Sequence, residues 1–131
     1  MNRQFFIIPC ELPSLNQIID ESKSHWTRYH KLKKEYSTLV TILAKIRLRP
    51  VHGRVSLSFC WYCRNRRKDP DNISSAGRKI ILDGLVSAGI LEDDGWKQVS
   101  SFTDNFEVDK NSPRVEVTLY EHSTSNESNG L

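Results

Sequence analysis

Residues 54–88, RVSLSFCWYCRNRRKDPDNISSAGRKIILDGLVSA, hold a strand, a basic turn and a helix in immediate succession. Over 54–62, Val55, Leu57, Phe59 and Trp61 alternate with Ser56, Ser58 and Cys60, the two-residue period of a half-buried strand. After 64–72 (RNRRKDPDN) the period changes. Ile73, Gly77, Ile80, Gly84 and Leu85 recur at helical spacing and give a helix an apolar face through about Ala88. Asp69 or Asp71 can cap its start, Pro70 fits its first turn, and Gly89 is a natural C-terminal stop.

Towards the N-terminus, 4–9 (QFFIIP) reads as a short strand ending at a proline, and 10–27 as a polar connection. From Arg28, Tyr29, Leu32, Tyr36, Leu39, Val40, Leu43 and Ile46 form one helical stripe, with Lys31, Lys33, Lys34, Lys45 and Arg47 on the other faces. Towards the C-terminus an acidic turn at 92–95 precedes two closing strands, 96–103 and 114–120. The order β-α-β-α-β-β predicts a single α+β domain over 1–122, a small mixed sheet with two helices on one face. The polar tail 123–131 (STSNESNGL) is expected to be disordered.

Composition narrows the class. Hydrophobic content of 37% excludes wholesale disorder, and no apolar run approaches the length of a bilayer span. The first residues lack the apolar stretch and cleavage site of a signal peptide, and three cysteines suit a reducing compartment, so a cytoplasmic protein with no membrane partner is expected. The net charge of +3 conceals a division. Residues 23–68 carry 13 Lys and Arg against Glu35 alone, whereas 69–131 carry 5 against 12 Asp and Glu. The sign changes between Lys68 and Asp69.

Asp69 and Asp71 stand two residues apart at the strand-to-helix junction. In extended geometry they lie on one side of the backbone, ~6.6 Å apart along it, where they repel unless a cation or the adjacent Arg66–Lys68 offsets them. Hard oxygen ligands of this kind select Mg²⁺ or Mn²⁺. A second acidic group, Glu92-Asp93-Asp94, follows the helix, whose 17 residues rise ~25 Å. To share a metal, either the loop after Gly89 folds far back along the helix or a partner subunit brings the second cluster across. Asp71, Ser75, Lys79 and Asp83 follow four-residue steps, so Lys79 can reach towards a phosphate held by the aspartates.

Each feature also has an ordinary reading. Asp-x-Asp before a helix commonly caps it, and Lys79 with Asp83 is by default a surface ion pair worth ~0.3–0.5 kcal/mol. Ile73 and Ser74 exclude a calcium-binding loop. Cys60 and Cys63 have C-x-x-C spacing but no second Cys/His pair, and His52 and His122 have no evident partner for nucleophilic catalysis. Asp104, Glu107, Asp109 and Glu116 read as ordinary surface. His25, Trp26 and Tyr29 suit either core packing or stacking on bases.

The combination is specific. RKDPDN at 67–72, KIILDGLVSAGILEDD at 79–94 and LPSLN at 12–16 behind a short strand resemble the RusA family of Holliday-junction endodeoxyribonucleases, mostly encoded by bacteria, phages and prophages. The likeness spans most of 4–120. It implies a homodimer that binds four-way DNA junctions and cuts two strands symmetrically with Mg²⁺ or Mn²⁺. It makes Asp69, Asp71 and Asp94 the metal-binding and catalytic carboxylates, Asp93 an adjacent assistant ligand, and Lys79 the catalytic lysine. Shorter members place this lysine four residues after the second Asp, where Ser75 stands here; counting back four from Asp83 recovers Lys79, as an inserted helical turn requires. Arg64, Arg66, Arg67, Lys68 and Asn72 adjoin the acids and are the leading DNA contacts, with Lys31 and Lys34 on the first helix behind them. Two rivals remain: a less selective nuclease for flaps and forks, and a non-catalytic DNA-binding protein using the basic half alone.

Overall fold

The computed structural model describes residues 2–24 and 26–122, with the side chains of 20–27 and 29 outside that description. The elements are β1 (Asn2–Ile8), α1 (Leu15–Ser24), α2 (Trp26–Arg47), β2 (Val55–Cys63), α3 (Pro70–Ser87), β3 (Val99–Val108) and β4 (Arg114–Glu121). They form one four-stranded sheet in the order β1-β4-β2-β3. β4 runs antiparallel to both β1 and β2, while β3 lies parallel to β2, which requires the α3 crossover between them. The sheet is mixed, as the α+β reading expects.

The alternation in β2 decides which face is covered. Val55, Leu57, Phe59 and Trp61 are buried with Phe6 and Ile8 of β1 and Val115, Val117 and Leu119 of β4. Ile80, Ile81 and Leu85 of α3 and Val40 and Ala44 of α2 complete this core. On the opposite face Phe5 and Ile7 of β1 are exposed.

Three helices rather than two accompany the sheet. Residues 15–24, expected as connection, form α1, which packs against α2 and α3. Ser14 and Gln17 start it with a reciprocal cap: Gln17 Oε1 accepts from Ser14 N at 3.0 Å, and Gln17 N donates to Ser14 Oγ at 3.4 Å. The Ser-x-x-Gln spacing after Pro13 is the signal for it. The strand expected at 96–103 instead occupies Val99–Val108. Trp96 to Gln98 form a turn, and β3 extends to Val108 because β2 offers it a parallel partner as far as Cys63. The tail 123–131 lies outside the described residues.

Two glycines shape α3. Gly89, at φ 77°, reverses the chain after the helix: its N–H donates to Val86 O and that of Ile90 to Leu85 O, both at 3.0 Å. Gly84 lets α2 approach, since a Cβ there would sit 2.5 Å from Val40 Cγ1. Gly84→Ala gains ~1 kcal/mol of helix propensity but overpacks this contact. With overpacking at ~1–3 kcal/mol, a net loss of up to about 2 kcal/mol in denaturant unfolding is expected.

Candidate functional site

Asp69 closes the β2–α3 connection. It is the residue before the helix, with φ −72° and ψ 141°, the extended conformation that a following proline favours. Its side chain makes no capping hydrogen bond; Ile73 N donates to the Asp69 carbonyl instead, at 3.1 Å. Asp71 lies in the first turn, exposed. Neither carboxylate has a hydrogen bond or ion pair with another described residue, so the capping role does not occupy them.

The second acidic cluster is fixed from a different direction. After Gly89 the buried Ile90 and Leu91 carry the chain back, and Asp94 reaches the middle of α3. Lys79 Nζ stands 3.0 Å from both Asp94 Oδ2 and Asp83 Oδ1. The Asp83 hydrogen bond first, and the Asp94 one second, raise the Lys79 pKa above its ordinary value. The stabilisation this pairing brings is complete below the ordinary lysine range and is lost only as pH rises through the elevated value, so the ammonium persists throughout neutral pH.

Gln98 holds the acidic loop in place. Its side chain is buried. Its Oε1 accepts from Glu92 N at 2.7 Å and Asp93 N at 3.1 Å, while Nε2 donates to Val51 O at 2.7 Å and Gly53 O at 3.3 Å. Sequence reading missed it because these partners lie up to 47 residues away. Gln98→Ala strips partners from four backbone groups. A loss of about 2–4 kcal/mol in denaturant unfolding is expected, since each buried group left unpaired costs ~1–3 kcal/mol and water reaches some of them.

Within one chain the structure joins Lys79, Asp83 and Asp94 and leaves Asp69 and Asp71 at the far end of α3. Lys79 follows Asp71 by eight residues, ~12 Å of helical rise. The loop therefore folds back along only part of the helix. Among the described residues no three His, Cys, Asp or Glu side chains converge to hold a metal. Asp93 is exposed beside Asp94.

The basic residues surround the Asp69 end. Arg66, Lys68, Asp69 and Phe106 line a cleft of about 290 Å³. Arg64, Arg67, Lys68 and Gln17 border a second groove of about 460 Å³, which shares Lys68 with the first. Two of these cations are tethered. Arg64 donates to Glu11 through its backbone N at 2.7 Å and Nε at 3.2 Å, and Lys68 Nζ to Gln17 Oε1 at 3.0 Å. Glu11 and Gln17, more than 50 residues earlier, were invisible as site residues in the sequence. Asn72 is half-buried, and Lys31 and Lys34 are exposed on α2. The side chains of His25, Trp26 and Tyr29 lie outside the described ones.

Three of the four acids expected as ordinary surface are paired. Asp104 is not ordinary surface: it accepts from Trp61 Nε1 at 2.8 Å and pairs with Arg78, whose guanidinium lies 4.7 Å from the Phe102 ring centre. Asp109 and Glu116 both bind Arg114, which holds the Asp109 carboxyl below its usual range. His122 Nε2 hydrogen-bonds Ser56 Oγ at 2.8 Å, and His52 Nδ1 lies 3.7 Å from Glu92. Cys10, Cys60 and Cys63 are free, and burial pushes the Cys10 and Cys63 thiols up.

No protein-family model matches the chain, and no curated protein matches it in sequence. No helix among the described residues is long and apolar enough to cross a membrane.

Proposed function

We propose that this chain is a divalent-metal-dependent endodeoxyribonuclease of the RusA type, a homodimer that resolves four-way DNA junctions in the cytoplasm of a bacterial host, encoded by a phage or prophage. The observation that carries the reading is the pair of uncommitted carboxylates, Asp69 on the wall of a cleft that Arg66 and Lys68 also line and Asp71 two residues on in the first turn of α3. An acidic pair with no structural partner has a use if a cation and a phosphate meet there. A DNA-binding surface using basic residues alone has none.

The donor set fits the metal. Asp69 and Asp71 supply hard oxygens, and Mg²⁺ or Mn²⁺ is commonly held by one or two carboxylates with water and phosphate oxygens completing the shell. When bound, the ion contributes Lewis-acid stabilisation of charge on the scissile phosphodiester. Arg64, Arg66, Arg67 and Lys68 hold the flanking phosphates, an attraction that weakens steeply with salt. Lys79, kept cationic by Asp83 and Asp94, offsets charge accumulating on the phosphate. Because Asp94 meets Lys79 rather than Asp69 and Asp71 within a chain, we assign the complete site to two subunits, the second subunit's Asp94 and Lys79 facing the first's aspartate pair. Symmetric cutting of two strands then follows from the two-fold relation of the sites.

The test is a substrate panel of labelled four-way junctions, flaps, forks and duplexes at moderate salt with Mg²⁺. Paired incisions confined to the junction support the reading. Equal cutting of flaps and forks favours the less selective nuclease, and binding without cleavage under any divalent ion favours the non-catalytic DNA-binding protein.

A further inference from the structure

Trp96 is 94% exposed. Indole rings are ordinarily covered, by core or by a ligand. This ring does not hang from a slack loop. Gln98 N and Val99 N both donate to the Gly95 carbonyl, at 3.2 and 2.9 Å, and the buried Gln98 amide ties the same turn to Val51 and Gly53. The turn thus holds Trp96 in water two residues from Asp94, the partner of Lys79.

The surroundings identify the occupant. The residues on either side, Asp93, Asp94, Gly95 and Lys97, are polar or lack a side chain, whereas a protein interface carries an apolar centre around its aromatic anchors. Glu92 and Asp93 are exposed carboxylates that repel a phosphate backbone, so the ring suits a base better than a sugar-phosphate contact. An indole face in water on a hydrogen-bonded turn, with Lys97 next in sequence, suits the stacking of unpaired bases with little regard to sequence.

We propose that Trp96 is a stacking platform for an unpaired nucleobase, held next to the phosphate that Lys79 engages. This rests on the nuclease reading and extends it: the site takes DNA whose pairing is broken near the scissile bond, and Trp96 selects for that state.

The experiment follows intrinsic tryptophan fluorescence and affinity of the full chain in EDTA, using an oligo-dT strand, a four-way junction and a blunt duplex. Wild type is expected to be quenched by oligo-dT. Trp96→Ala is expected to lose that quench and to bind oligo-dT roughly 5- to 150-fold more weakly, with duplex affinity unchanged. Trp96→Phe, which keeps a π-face, is expected to restore most of the affinity. Undiminished quenching and affinity in Trp96→Ala overturn the proposal. So does a change of oligomeric mass in light scattering with equal loss on all three DNAs, which would make Trp96 a subunit contact. Wild type that cuts junctions but is not quenched by oligo-dT overturns this inference alone; wild type that binds no DNA overturns the nuclease reading with it.

Discussion

Asp71→Asn is expected to abolish junction cleavage, by about 10³-fold or more, while leaving folding and junction binding in EDTA unchanged. The magnitude follows from losing a carboxylate that positions a metal. Lewis-acid stabilisation is worth several kcal/mol, and each 1.36 kcal/mol is tenfold in rate. The separation of function from stability follows from the geometry. Asp71 is exposed and has no hydrogen bond or ion pair with another described residue, so its neutral isostere gives up only a favourable charge at the helix N-terminus, about a few tenths of a kcal/mol. Surface changes of this kind stay within about 0.5 kcal/mol. Cleavage gels under single-turnover conditions, with unfolding curves beside them, measure both. Cutting at the wild-type rate would remove Asp71 from the site.

The second large effect concerns how the site is shared. Asp71→Asn and Asp94→Asn homodimers are each expected to be inactive. A mixed dimer, one subunit of each kind isolated by two affinity tags, is expected to regain incision of a single strand. If Asp69 and Asp71 of one subunit work with Asp94 of the other, one of the two sites in the mixed dimer is fully wild type and the other is doubly substituted. If each subunit carried its own complete site, both would remain dead. The product is therefore diagnostic: nicks on one strand mean a composite site, and no product means a site within one chain. The arrangement of Asp94 against Lys79, about two turns of α3 from Asp71, is the reason to expect nicks.

What the sequence made legible was set by local period and local chemistry. The alternation of Val55, Leu57, Phe59 and Trp61, the helical spacing from Ile73 to Leu85 and the stop at Gly89 reproduce β2 and α3 closely, because each depends on residues within a turn or two. The Asp69-Pro70-Asp71 junction is readable for the same reason. α1 is harder to read, although Ser14 and Gln17 announce it, because its apolar face consists of Leu15, Ile18 and Ile19 alone, little more than one turn. β3 departs from the expected 96–103 because its extent is fixed by pairing with β2, a tertiary decision. The site was legible as a list and not as a shape. Asp94 finds Lys79 through the reversal at Gly89, Gln98 finds Val51 and Gly53 across the fold, and Arg64 finds Glu11 across more than 50 residues. Side-chain pairing of that range leaves no spacing to read.

The most direct measurement of the central claim uses a supercoiled plasmid that extrudes a cruciform, a four-way junction in covalently closed DNA. The wild-type protein with Mg²⁺ is expected to convert it to full-length linear product, because paired incisions within one binding event cut both strands before the relaxed circle accumulates, and EDTA is expected to prevent all conversion. Linear product formed equally in EDTA, or an intact plasmid in every divalent ion, would contradict the account.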